Sequence, residues 1–373
     1  MLGDDLIIPG IVMKWSKEKA WEWYNSKPWL RGCNFMSSDC CNRIDQWQEY
    51  DFDKRLETTD RELELLKKTG FNSIRIILEF IVWKKEHDGF MERFEKYLET
   101  ADKHGITCMV VFGNDCMPPK EELMARMQLG EQHVDWGYHG GRKISQHGQF
   151  EGCGYSLLDD PELAEEHYEW VREIVTKYKN DERIVMWDVF NEPGNSKRGN
   201  LSLPHLKKFF EIIREINPVQ PLTTAIWSVA RSIDKLPEIE KWALDNSDIV
   251  SYHNYSPYAD NIQIIAELKK LGRPIINSEW LARPVHNTIE EMFPLFYLEK
   301  IGCYNWGFVA GKYQTYEPYN GTWDVYKNNP SMDFDFTKWY HDLYRPSLNP
   351  YNPRETDLIK RFADLADKEY GIK

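Results

Sequence analysis

Short apolar runs alternate with longer amphipathic ones along almost the whole chain, the rhythm of repeated strand–helix units. Eight of the short runs read as strands: "LRGCNF" (30–35), "NSIRIIL" (72–78), "ITCMVVFG" (106–113), "IVMWDVF" (184–190), "PLTTAIW" (221–227), "DIVSYHNY" (248–255), "PIINSEW" (274–280) and "CYNWGF" (303–308). Most are nearly continuous in apolar residues, as parallel strands are when helices cover both faces of their sheet. Between them lie segments of helical period. In "RLETTDRELELLKKTG" (55–70), Leu56, Leu63, Leu65 and Leu66 form an apolar stripe and Gly70 marks a stop. "FMERFEKYLETADKHG", "ELAEEHYEWVREIVTKYKN", "LKKFFEIIREINP", "NIQIIAELKKLG" and "TIEEMFPLFYLEKIG" repeat the pattern. An N-terminal helical extension (1–28), with Ser16 as its candidate cap, and a C-terminal helix near 354–371 complete the chain.

Eight strands with intervening helices predict an α/β protein built as a single (β/α)8 barrel. A doubly wound sheet is the weaker reading, because neither G-x-G-x-x-G nor G-x-x-x-x-G-K-[ST] occurs. Three connections are long: those after strand one (36–54), strand three (114–161) and strand eight (309–335). All three fall on the C-terminal face, where a barrel carries its chemistry, and loops of this length are functional or disordered. The second contains "VDWGYHGGRKISQHGQFEGCGYS", whose Trp, Tyr and His residues predict ordered pocket walls. Trp136 within it is a candidate sugar-binding residue.

Composition narrows the partners. The chain has 373 residues, 42% apolar and 29% charged, and no apolar run approaches the roughly 20 residues of a membrane helix. A net charge of −13 argues against nucleic acid or an anionic membrane, since both are bound through Lys and Arg, and favours a neutral substrate. Asp4 and Asp5 stand where a signal peptide would carry positive charge, so the chain reads as cytoplasmic, unless a leader has been removed. Seven scattered cysteines without metal-ligand spacing read as reduced thiols. Aromatic residues reach 14%, with 15 Trp and 20 Tyr, and flat apolar faces of this kind are what sugar rings stack on. Nothing in the sequence speaks to oligomeric state.

In a barrel, residues at strand ends carry the chemistry. Strand four delivers Asn191 and Glu192 in "VMWDVFNEPG", with Pro193 ending the strand, and strand seven delivers Glu279. Two carboxyl groups about 5–5.5 Å apart serve a retaining glycosidase as acid/base and nucleophile, and their mutual repulsion splits their pKa values. A single Glu at a strand end would equally well cap a helix or pair with an Arg. Two such residues on strands four and seven favour catalysis.

"WDVFNEP" and "INSEW", with Arg75 on strand two, "HNY" on strand six and Trp306 on strand eight, resemble the clan A glycoside hydrolases, most closely glycoside hydrolase family five. The resemblance implies that Glu192 is the acid/base and Glu279 the nucleophile. It implies further that Asn191 bonds the sugar 2-hydroxyl, Arg75 keeps Glu279 ionised, Tyr255 donates near Glu279, His253 lines the site and Trp306 floors the central subsite. The bland readings are a structural ion pair for Arg75 and core positions for His253 and Trp306. Asn34, closing strand one, joins the substrate-binding candidates. Where the family places a His at the end of strand three, this chain has Asn114 and Asp115, and Asp115 is expected to bind sugar hydroxyls, with a structural role in the loop as its rival.

The sequence thus predicts a retaining β-glycoside hydrolase acting on β-linked oligosaccharides, exo-acting or specific for short chains, with no cofactor and no metal. The alternatives are an endo-acting β-1,4-glycanase (glucanase, xylanase or mannanase) and a non-catalytic carbohydrate-binding barrel, although the latter would usually lack one of the acids. A metal-dependent hydrolase is disfavoured because His133, His139 and His147 do not stand at zinc spacing.

Overall fold

The structure, a computed structural model, describes residues 14–134, 139–140, 153–229 and 232–370. Eight parallel strands close into a barrel in sequence order: β1 (Arg31–Asn34), β2 (Ser73–Ile77), β3 (Thr107–Asn114), β4 (Ile184–Asn191), β5 (Leu222–Ile226), β6 (Val250–His253), β7 (Ile275–Trp280) and β8 (Gly302–Trp306). Each coincides with an apolar run of the sequence. β4 and β7 are buried along their whole length, which explains their unbroken hydrophobicity.

The core lies mainly between this barrel and the helices around it. A smaller buried cluster joins Met109, Met186, Ile276 and Tyr304 of four strands to Ala20 and Tyr24 of the N-terminal helix Lys17–Asn25. That helix begins where expected, with the Ser16 side chain accepting from the Lys19 amide, and its burial ties the N-terminal segment to the barrel.

The long connections carry helices that their length alone did not announce: Arg43–Trp47 after β1, Lys120–Arg126 after β3 and Asn320–Asn328 after β8. Helices Phe80–Lys85 and Glu238–Asn246 also went unread, being too short for a stripe to stand out. Among the described residues no helix is long and apolar enough to cross a membrane.

Candidate active site

Arg75 on β2 is the deepest element of the site, its side chain fully buried. A guanidinium there must satisfy its donors, and it does so with four partners. Nε donates to Asp188 on β4 at 2.9 Å, one terminal nitrogen to Asn34 at 2.7 Å and Glu279 at 3.0 Å, and the other to Asn191 at 2.7 Å. Burial acts to lower its pKa, but the charges of Asp188 and Glu279 outweigh burial and raise it. One fixed positive charge thereby aligns residues from β1, β4 and β7.

Glu192 follows the last residue of β4 with φ of 46°, in the left-handed region that side chains other than glycine seldom adopt. Pro193 behind it has no N–H with which to continue the ladder. The Glu192 carboxylate is held on both oxygens. Oε1 lies 2.7 Å from Nδ1 of His253 on β6, while Oε2 accepts from the Cys116 thiol at 2.9 Å and from the Asn195 amide. Glu279 accepts from Arg75 on one oxygen and from the Tyr255 hydroxyl, at 2.8 Å, on the other. His253 Nδ1 also comes within 3.4 Å of Glu279. Ladder registers shift between Asp188 and Asn191, between Tyr252 and His253, and between Asn277 and Trp280, so the pleat is re-aimed where these side chains leave their strands.

One oxygen from each carboxylate and one ring nitrogen of His253 all lie within 4.8 Å of one another. So close an approach is in keeping with the short carboxyl separation of retaining enzymes. The same three groups offer a cation its donors, but Arg75 puts a fixed positive charge 3.0 Å from Glu279, and His253 already bonds Glu192. The arrangement suits a carboxylate pair better than a metal.

Burial disfavours charge on both acids. For Glu279 burial, reinforced by the Glu192 charge, prevails over His253, Arg75 and Tyr255, and the carboxyl stands above its usual range. For Glu192 burial is overcome by the hydrogen bond and charge of His253 and by bonds from Cys116 and Asn195, which hold it below that range. The Glu192 charge opposes ionisation of Glu279, so the two acids lose their protons in separate steps.

Two hollows open beside the site, one at Arg75 and one at Glu192. The first, about 520 Å³ with its mouth, is lined by Asn34, Arg75, Trp306, Tyr313 and Thr315. The second, wider at about 1140 Å³, is lined by Glu192, His253, Tyr255, Trp227, Met332 and Phe334. Glu279 stands between them, since Arg75 of the first and Tyr255 of the second both donate to it. Among the described residues the Trp306 indole N–H and His253 Nε2 are buried without a protein partner, as groups that meet a ligand would be.

The structure thus brings Asn34, Arg75, Asn191, Glu192, His253, Tyr255, Glu279 and Trp306 to one place. Asp115 needs correction. It is fully buried away from the hollows, with one carboxylate oxygen accepting from Arg198 and Ser202 and the other from the Gly194 amide, so its charge fastens loops and is spent before a sugar could use it. Trp136 lies outside the described residues. Sequence reading missed Asp188, Cys116 and Asn195. Asp188 had a signal, a lone acid in a buried strand that demands a cation; Cys116 had none, because nothing local says that a thiol reaches Glu192.

Residues 32–311 match the family model for cellulase, glycosyl hydrolase family 5. Comparison with curated protein sequences finds no significant relative. Among solved structures, the barrel is similar to the exo-β-1,4-mannosidase of Opitutaceae bacterium strain TAV5 (14% identity, 92% of this chain and 60% of that one, TM-score 0.57). It is also similar to the endo-β-1,4-mannanase of Thermotoga petrophila (17% identity, 94% and 79%, TM-score 0.55) and the β-1,4-mannanase of the sea hare Aplysia kurodai (15% identity, 74% and 87%, TM-score 0.51). At these identities the likeness to solved structures is one of fold. The family match spans most of the chain, and with it the chain belongs to glycosyl hydrolase family 5 and is a retaining glycoside hydrolase.

Proposed function

We propose that the protein hydrolyses short β-linked oligosaccharides from one end, with Glu279 as nucleophile and Glu192 as acid/base. The observation that carries the assignment of roles is the pair of fixed donors, Arg75 and Tyr255, one on each Glu279 oxygen. Neither gives up its proton in the working range: Arg75 stays charged, and burial followed by the Glu279 charge pushes the Tyr255 hydroxyl well up. They favour an ionised carboxylate opposite the anomeric carbon. Glu192 protonates the leaving oxygen as the glycosyl–Glu279 ester forms, then takes a proton from the water that cleaves the ester. His253 Nδ1, 2.7 Å from Glu192 and 3.4 Å from Glu279, holds the acid/base in place beside the nucleophile.

Exo action is supported by how the first hollow is closed. The His139 ring lies 4.0 Å from Tyr313 and 6.0 Å from Trp306, so the segment after β3 covers the floor supplied by β8. At Gly140 the two loops touch: a Cβ there would fall 2.2 Å from the Gln314 carbonyl oxygen and 2.5 Å from that of Glu317. On this reading a single terminal sugar sits on the walled side, and the remainder of the substrate leaves through the wider hollow beside Glu192. A panel of aryl β-glycosides (glucoside, galactoside, mannoside, xyloside, glucuronide) identifies the sugar. A reducing-end-labelled oligosaccharide then decides the mode, because internal cuts in the first minutes would establish the endo-glycanase alternative.

A further inference from the structure

The acid/base has one neighbour that the reaction scheme does not use. We propose that Cys116 is a positioning residue whose thiol, donating to Glu192, sets the orientation of the acid/base and the ease with which it gives up its proton. The proposal rests on the reading of Glu192 as acid/base.

The thiol is fixed from several sides. The Cys116 amide donates to Asn114 Oδ1 at 3.0 Å, and the same oxygen accepts from Asn191 Nδ2 at 2.9 Å, so one side chain at the end of β3 positions both. Cys116 Sγ in turn accepts from Asn191 at 3.6 Å and Asn195 at 3.4 Å while donating to Glu192 Oε2 at 2.9 Å. The direction of that last bond is settled chemically. Burial, and after it the Glu192 charge, push the thiol well above its ordinary range, so it stays S–H beside a carboxylate. A thiol is a weak donor. It favours the ionised acid/base, as the water-cleaving step requires, yet resists protonation less than a hydroxyl in its place would. The other titratable or charged groups that act on Glu192 or through which its field is felt are His253 on β6, Glu279 on β7, Arg75 on β2, Tyr255, Tyr319 and Glu240. Substituting Cys116 removes none of them.

The test is the pH dependence of kcat/KM for Cys116→Ala and Cys116→Ser, measured with the phenyl glycoside of whichever sugar the panel selects, whose basic leaving group needs the proton of the acid. A neutral hydrogen bond is worth about 1 kcal/mol, so its loss in the alanine variant should move the basic limb, which reports the protonated acid/base, up by about 0.5–1 pH unit. The acidic limb should stay in place. The serine variant, a stronger donor of similar size, should return the basic limb to the parent position or carry it lower. A basic limb unmoved in the alanine variant, or a serine variant that behaves like alanine, overturns the proposal and leaves Cys116 as filler. Glu192→Ala with added azide, on the 2,4-dinitrophenyl glycoside whose leaving group departs without an acid, keeps the two ideas apart. Failure of azide to restore turnover would sink Glu192 as acid/base, whereas rescue combined with an unmoved limb in Cys116→Ala would sink only the thiol.

Discussion

Arg75 and Arg198 are both fully buried side chains with an aspartate 2.8 Å away, and they differ in where the rest of the guanidinium goes. Beyond Asp188, Arg75 donates to Asn34, Asn191 and Glu279, all of which face the first hollow or the carboxylate pair. Beyond Asp115, Arg198 donates to the Gly154 carbonyl, Asp159 and Ser202. These belong to the end of the long connection after β3, to the turn ahead of helix Pro161–Tyr178 and to the residue preceding helix Leu203–Ile216. One ion pair organises reacting groups and the other fastens the loops that wall them. Burial and pairing therefore do not reveal a role; the remaining donors do.

The largest expected effect lies at the reacting end of the Arg75 network. Glu279→Gln keeps the shape and the Tyr255 contact but removes the nucleophile, and kcat/KM on an activated aryl glycoside should fall by more than about 10⁴-fold with an unchanged circular dichroism spectrum. Residual turnover within tenfold of the parent would mean that the network is structural like its counterpart. On the other side, Arg198→Met leaves Asp115 and Asp159 without their cation, and breaking a buried pair in this way costs about 3–5 kcal/mol. Denaturant unfolding should show that loss while kcat per folded molecule stays close to the parent value. A large fall in kcat at constant stability would erase the distinction between the two arginines.

Arg75→Lys gives a smaller and sharper result. The charge remains, but a lysine cannot hold Asp188, Asn34, Asn191 and Glu279 at once. Losing oriented donors at a reacting carboxylate should lower kcat by about 10²-fold, with KM and melting temperature changed little. If stability falls instead and kcat holds, Arg75 belongs in the same class as Arg198.

How far the sequence reached follows from the same physics. The eight strands were legible because most are nearly continuous apolar runs, and Glu192 and Glu279 stood out as acids at the ends of such runs, while Arg75 and His253 entered with the resemblance to family five. Helices such as Glu238–Asn246 and Asn320–Asn328 are short and half-exposed, so no stripe marked them. Asp115 was misread because its strand-end position is shared by catalytic and structural acids, and only the place of Arg198, 83 residues on, separates them. Cys116 and Asn195 touch Glu192 through the way loops fold back, which no local periodicity encodes.

Asp342 and Glu62 extend the comparison to buried acids that make no ion pair among the described residues. Both lie under the loops of the first hollow: Asp342 accepts from the Thr315 hydroxyl at 2.8 and 3.0 Å, and Glu62 from the Ser38 amide and hydroxyl. Burial, only partly offset by these bonds, raises Asp342 to about 7 and Glu62 to about 8. Both values exceed those of the unfolded chain, so the folded protein binds more protons than the unfolded one and the stabilising contribution is complete only at low pH. It is lost as pH rises through 7 and 8, the reverse of what an arginine-paired aspartate with a depressed pKa would do. Between pH 6 and 8 the share due to Asp342 should be about 1 kcal/mol. Asp342→Asn keeps the volume and removes the titration, so unfolding free energy followed over that interval should fall less steeply in the variant than in the parent. An equal slope in both would mean that Asp342 ionises freely in the folded protein, and that its burial beside Thr315 imposes no pH dependence on the wall of the hollow.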